Sequence, residues 1–153
     1  MALQDEELSS QVIRAAINVH RTLGPGFLES IYEAALCVEL DADHIPYERQ
    51  KTLRLTYREK SIGEHRLDLL IDGRLVLELK ATKDLDPIYF ATVRSYLKAS
   101  NLESGLLINF SAMPLTVKRI GREWVPRQTS NQVFWNNPAK GSLQAGHPDE
   151  KSG

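Results

Sequence analysis

The chain has a single cysteine, Cys37. No internal disulfide can form, so a reducing, cytoplasmic setting is the expectation. Cys37 stands in AALCVEL and reads as a small core residue rather than a reactive thiol. No apolar run approaches the roughly 18 residues that a membrane span needs. The opening MALQDEELSS is acidic and polar, unlike a secretory leader. Histidines at 20, 44, 65 and 147 lack zinc-type spacing. There is no internal repeat. Nor is there an excess of positive charge: 19 Lys and Arg face 20 Asp and Glu, for a net charge of −1. Bulk charge therefore does not mark a nucleic-acid binder.

What is present is an ordinary globular composition over 153 residues, 42% hydrophobic and 25% charged. That length fits one domain. The charge is unevenly placed. Residues 1–50 sum to −6 and residues 51–153 to +5. Any contact with nucleic acid is expected from a local patch in the second half.

Periodicity orders the chain. Val12, Ile13, Ala16, Ile17, Val19 and Leu23 recur at helical spacing, which predicts a helix over 9–23 capped by Ser9 or Ser10. The GPG at 24–26 ends it. A second helix follows, with Leu28, Ile31, Ala35, Leu36 and Leu40 as its apolar stripe. Residues 50–58 alternate as a strand, Leu53, Leu55 and Tyr57 on one side. Two more strands, Glu64–Leu70 and Leu75–Lys80, flank Asp72-Gly73. Asp86-Pro87 opens a helix to about Ser100, with Phe90, Val93, Tyr96 and Leu97 on its apolar side. GLLINF at 105–110 is a short buried strand, and 114–120 an edge strand. The fold class is α/β (α+β): a mixed central sheet flanked by helices, in the order α-α-β-β-β-α-β. Residues 1–123 form the domain. Residues 124–153 are polar and read as a disordered tail in which only VFW at 133–135 has the character to dock.

The register of the Asp72-Gly73 hairpin decides where its charges point. A two-residue turn mixes charge and leucine on both faces. A three-residue loop over 71–73 pairs Leu70 with Arg74 and Asp68 with Val76. It then gathers Leu67, Leu69, Leu75, Leu77 and Leu79 on one face. Burying those leucines contributes about 1.5–3 kcal/mol each, which selects the second register. Arg66, Asp68, Leu70, Arg74, Val76, Glu78 and Lys80 then share the other face.

Two carboxylates on neighbouring strands repel unless one is protonated or a cation lies between them. Oxygen ligands suit Mg²⁺ or Mn²⁺, and a lysine beside such an ion can stabilise a phosphoryl transition state. An Asp, then about ten residues, then Glu-x-Lys on a hairpin reads as metal-dependent phosphodiester hydrolysis. Salt bridges on an exposed sheet face are the plainer reading. Glu29 lies in the first turn of the second helix, where the helix dipole favours an anion. Tyr32, one turn on, is placed either to bond Glu29 or to pack in the core. His20 is expected to be structural, bonded to the GPG loop. Arg66 and Arg74 share the charged face and are candidates for phosphate contacts, as are Arg94 and Lys98 on the last helix.

The order of elements resembles the core of the PD-(D/E)XK nuclease superfamily. The chain is more closely similar to the small bacterial GxxExxY family. GFLESIY supplies Gly26, Glu29 and Tyr32 of the naming motif. VHRTLGPGFLESIYEAAL, HRLDLLIDGRLVLELKAT and YLKASNLESGLLINF follow the family in order, covering about residues 9–120. The resemblance implies a restriction-endonuclease-like fold and a Mg²⁺ (or Mn²⁺) site. Glu29, Asp68, Glu78 and the Leu79 carbonyl would be its ligands, Lys80 the catalytic lysine, and Tyr32 and Gly26 supporting residues. It implies DNA or RNA as substrate. Thr92 stands where the family usually carries a Gln, which weakens that substrate or water contact but removes no metal ligand. A non-catalytic module binding nucleic acid or protein on the same fold is the alternative. A homodimer through the hairpin face is a third.

Overall fold

Helix α1 spans Ala2–Leu23 in a computed structural model that describes residues 2–123. The tail expected over 124–153, with its VFW, lies outside the described residues. The helix begins well before the Ser9 or Ser10 cap. Leu8 extends the buried stripe of Val12, Ala15, Ala16 and Val19 by one turn, and nothing in DEEL breaks a helix. Ser9 is buried within the helix, and the Ser10 hydroxyl donates to the Glu6 carbonyl at 2.9 Å. Gly24 closes α1 at a φ of 67°, with its N–H on the His20 carbonyl at 2.8 Å.

Helix α2 spans Glu29–Ala42 and buries Tyr32, Glu33, Leu36, Cys37 and Leu40. Leu36 and Leu40 of the expected stripe are buried and Ala35 packs against the core, but Leu28 and Ile31 are exposed. Tyr32 takes their place. Its ring stacks on Phe110 at 4.5 Å between centroids. Its hydroxyl donates to the Gly24 carbonyl at 2.5 Å and accepts from the Phe27 N–H at 3.1 Å. The ring is therefore a clamp on the GPGF loop, and no bond to Glu29 forms. His20 does not bond the loop through its ring; its Nε2 is buried without a partner among the described residues.

Strands β1 (Tyr47–Tyr57), β2 (Lys60–Ile71) and β3 (Leu75–Lys80) form an antiparallel meander. Helix α3 (Pro87–Ser100) then crosses to β4 (Ser104–Asn109), parallel to β3, and β5 (Thr116–Gly121) returns antiparallel. The sheet order is β1-β2-β3-β4-β5, with β5 completing the predicted series at the edge. Asp86 caps α3 as expected, its carboxylate accepting the Ile88 N–H at 2.9 Å. Gly105 lets α3 approach closely: a Cβ there would lie 2.8 Å from a Val93 methyl.

Two cores result. Leu69, Ile71, Leu75, Leu77, Leu79, Leu106 and Ile108 pack under α1 and α2. Leu67, Val76, Val93, Leu97 and Leu107 pack under α3. The hairpin register is Leu69↔Leu77, Leu70↔Val76 and Ile71↔Leu75. Asp72 and Gly73 form the turn at φ of 50° and 67°, and Arg74 is the extra residue. This differs from the predicted pairing by two positions, so side chains keep their faces along β3. The shift brings Asp68 level with Glu78 instead of Val76. Leu67 departs from expectation, since it belongs to the α3 core and not with Leu69.

Candidate active site

Strand β3 leaves the core with Glu78 and Lys80 on the α3 side, following Val76. Ladder pairing with β2 stops at Leu69↔Leu77, so the strands part there. Asp68 occupies the gap. Its Oδ2 accepts the Leu79 N–H at 2.8 Å, taking the place of a ladder carbonyl. Asp68, Leu79, Glu29, Ser30, Glu33 and Gln50 line a cleft of about 200 Å³ beside α2.

Glu78 is 9% exposed, and its Oε2 has no hydrogen-bond partner among the described residues. Burial and the neighbouring Asp68 push its carboxyl up to about 8, against a partial pull from Lys80. Burial also raises Asp68; Glu33 and Glu29 add to the rise, while the Leu79 N–H and Lys80 oppose it. With both ionised, neither carboxylate can donate to the other. Burial of the two carboxyls side by side therefore disfavours carrying both negative charges at once. Lys80 Nζ lies 3.8 Å from Glu78 Oε1 and 4.3 Å from the centroid of the Tyr89 ring. It is thus held between a carboxylate and an aromatic face. Asn109 secures the end of β3: its amide oxygen accepts the Thr82 N–H at 3.1 Å and its amide nitrogen donates to the Thr82 carbonyl at 2.9 Å.

Glu29 is exposed on the same cleft, its Oε1 accepting the Ala81 N–H at 3.4 Å. Among the described residues, no three carboxylate, imidazole or thiol groups stand converged on one point. The acidic centre is a close pair, Asp68 and Glu78, with Glu29 across the cleft. The donor set suits a hard divalent cation: oxygen ligands, one buried carboxylate oxygen left unpartnered, and mutual repulsion that a cation would relieve.

Other sequence candidates fall elsewhere. Arg74 sits in the hairpin turn, about 13 Å along the strand from Glu78 at 3.3 Å per residue. It is committed to Asp5 at 3.3 Å and Asp72 at 3.1 Å. Arg66 is exposed on β2 opposite Thr52. The Thr92 hydroxyl bonds back to the Ile88 carbonyl at 2.8 Å, within its own helix. Gly26 adopts a φ of 115° in the loop before α2 and serves the backbone path. Glu33 and Gln50 line the cleft and were not singled out by the sequence. The signal for Glu33 was its place four residues after Glu29, on the same helix face. His65 and Tyr96 form a further pair near the site. The Tyr96 hydroxyl bonds His65 Nε2, and burial, with Glu78 and Asp68 nearby, pushes its pKa up, so that the phenol holds its proton.

A sequence profile of the PD-(D/E)XK nuclease superfamily matches residues 6–120. The chain belongs to that superfamily. Superfamily nucleases generally use divalent metal ions, and the superfamily points to a nucleic-acid substrate. Among solved structures, the chain is similar to one titled "Crystal structure of SSO0001", at 19% identity and a TM-score of 0.50. The similarity covers 63% of this chain and 50% of that one and concerns the fold alone. No curated protein matches significantly. The sheet and its flanking helices are the restriction-endonuclease-like arrangement of this superfamily. Among the described residues, no helix is long and apolar enough to cross a membrane.

Proposed function

We propose that this PD-(D/E)XK domain is a metal-dependent nuclease hydrolysing phosphodiester bonds of DNA or RNA in the cytoplasm. Glu29, Asp68, Glu78 and the carbonyl of Leu79 would hold Mg²⁺ or Mn²⁺. The GFLESIY motif is compatible with the GxxExxY family. One observation carries the reading: a buried glutamate with an unpartnered oxygen presses against Asp68 within 3.8 Å of a lysine. A bound divalent ion would polarise a phosphoryl oxygen and lower the pKa of water. The Lys80 ammonium supplies positive charge where the phosphate gathers negative charge in the transition state. Asp68 is kept in place by the Leu79 N–H. Tyr89 and Glu78 limit the swing of Lys80. Arg66, exposed beside Asp68 in sequence, is available to a phosphate of the backbone.

Hydrolysis of varied DNA and RNA substrates in Mg²⁺ or Mn²⁺ tests this, with Asp68→Ala and Lys80→Ala as controls. Cleavage by the parent chain that disappears in both variants is expected. Cleavage that survives both removes the assignment.

The absence of a converged triad among the described residues favours a second reading, a non-catalytic binding module on the same fold. Calorimetry separates the two. A nuclease site takes up Mn²⁺ and loses it on Glu78→Ala, whereas a module binding nucleic acid without Mn²⁺ uptake supports the alternative.

A further inference from the structure

We infer that Glu33 is a positioning residue for the acidic pair, acting through the Gln50–Asp68 rung of the sheet. The inference rests on reading the cleft as a metal site. It adds to that reading a residue that works through the backbone.

Successive strand residues point to opposite faces, so odd-numbered positions on one strand share a face. Strands β1 and β2 both break this rule at the same level. Tyr47 packs against the α1/α2 core, but Leu53 packs against the α3 core. Leu69 belongs to the first core and Leu67 to the second. Both inversions bracket Gln50 and Asp68. The ladder steps from Arg49↔Leu69 to Lys51↔Leu67 without that rung and resumes in unchanged register. Gln50 has a φ of 49°, a left-handed conformation that a side chain disfavours.

Glu33 is bound on both sides of this turn. Its Oε2 accepts from Arg49 Nη2 at 3.0 Å, and its Oε1 accepts from Gln50 Nε2 at 2.8 Å. Neighbouring residues of a regular strand cannot both reach one carboxylate on one face. Here they do so because the backbone twists between them. The buried Glu33 carboxylate therefore offsets the strain of the left-handed rung. The rung in turn releases Asp68 from sheet alternation, into the cleft and onto the Leu79 N–H. Were the rung flat, Asp68 would fall back into alternation and lose that bond.

Amide hydrogen exchange followed by NMR on the metal-free 153-residue chain tests this, with Mn²⁺ calorimetry alongside. Glu33→Ala is expected to speed exchange at Leu79 about tenfold relative to Leu106, the loss of one hydrogen bond. Mn²⁺ affinity should fall about tenfold as well. Adding Gln50→Gly should restore both, because glycine takes a positive φ without a clamp. Unchanged exchange at Leu79 in Glu33→Ala overturns the inference. So does a folded double variant in which protection does not return; Glu33 would then be a plain tether between α2 and β1. If the parent chain takes up no Mn²⁺, the metal reading fails, and the exchange at Leu79 alone decides the positioning role. Should Glu33→Ala not fold, Gln50→Val replaces it, since a β-branched residue resists the left-handed rung. Faster exchange at Leu79 is again expected, and parent-like protection overturns the inference.

Discussion

The two ends of strand β3 carry charge on very different terms. At the hairpin end, Arg74 is 33% exposed and meets two carboxylates, Asp5 and Asp72. Asp5 is also bonded by the Ser104 hydroxyl at 3.1 Å. Every charge there has a partner, and the arrangement ties α1 to the sheet. At the other end Glu78 is buried and, among the described residues, its nearest cation is 3.8 Å away and one oxygen has no partner. Charge inside a leucine-rich strand is thus no signal by itself. Frustrated charge is, because a fold built only for stability would have paired it or removed it.

The contrast can be broken most sharply by activity. Lys80→Met is expected to lower kcat for nucleic-acid cleavage about 10²–10³-fold, the scale for losing a group that stabilises transition-state charge. Arg74→Met should leave kcat within about twofold, as surface changes away from the chemistry do. Equal losses in a side-by-side cleavage assay would erase the distinction between the two ends.

Stability against pH comes next. The Glu78 carboxyl is pushed up to about 8 in the fold and has an ordinary value of 4.5. Between those values the folded chain binds more protons than the unfolded chain. Stability of the metal-free protein therefore falls as pH rises through that window and levels off above it. The raised Asp68 adds a change of the same sign. Urea unfolding in chelator should show a loss on the order of 5 kcal/mol across the window, about 1.4 kcal/mol per pH unit. Glu78→Gln should flatten the profile and raise stability at alkaline pH. Arg74→Met should leave the slope unchanged.

A smaller effect concerns the aromatic beside Lys80. Tyr89→Leu is expected to lower kcat about two- to fivefold with KM little changed, the scale of a partly exposed cation–π contact. Tyr89→Phe should retain most of the rate. Steady-state kinetics of the two variants checks this. Smallest of all, Asp5→Asn should shift unfolding by about 1 kcal/mol or less, because the ion pair to Arg74 is partly solvated. Denaturant melts should show that shift weakening as salt is added.

Much of the domain was legible from residue order alone. The caps at Asp86-Pro87 and Gly24 are local chemistry, and both helix ends fall where expected. Burial of Leu75, Leu77 and Leu79 on one face follows from alternation. The two-position error in the hairpin had no effect on the faces of β3, since an even shift preserves them. Helix α2 was harder to read. Periodicity places Leu36 and Leu40 correctly on its buried stripe, but in the first turns it favours Leu28 and Ile31, where Tyr32 is buried instead. Counting apolar positions could not foresee that a tyrosine would close the preceding loop with its hydroxyl and stack on a residue far along the chain. Glu33 is illegible for a related reason: a charged residue on an amphipathic helix reads as solvent-facing unless its partners on another strand, here Arg49 and Gln50, are known.

The sequence by itself determined the order of elements, the leucine face of β3, and the placing of Glu78 and Lys80 together on its other face. Those follow from spacing within a few residues, where periodicity and burial act directly. Only the tertiary structure decided that Arg74 is spent on Asp5, 69 positions away. Only it decided that Asp68 leaves the alternation of its strand, and that Glu33 lies against Gln50. Each of these depends on a partner brought in by the packing of α1 or α2 on the sheet, and no local pattern encodes which partner that will be.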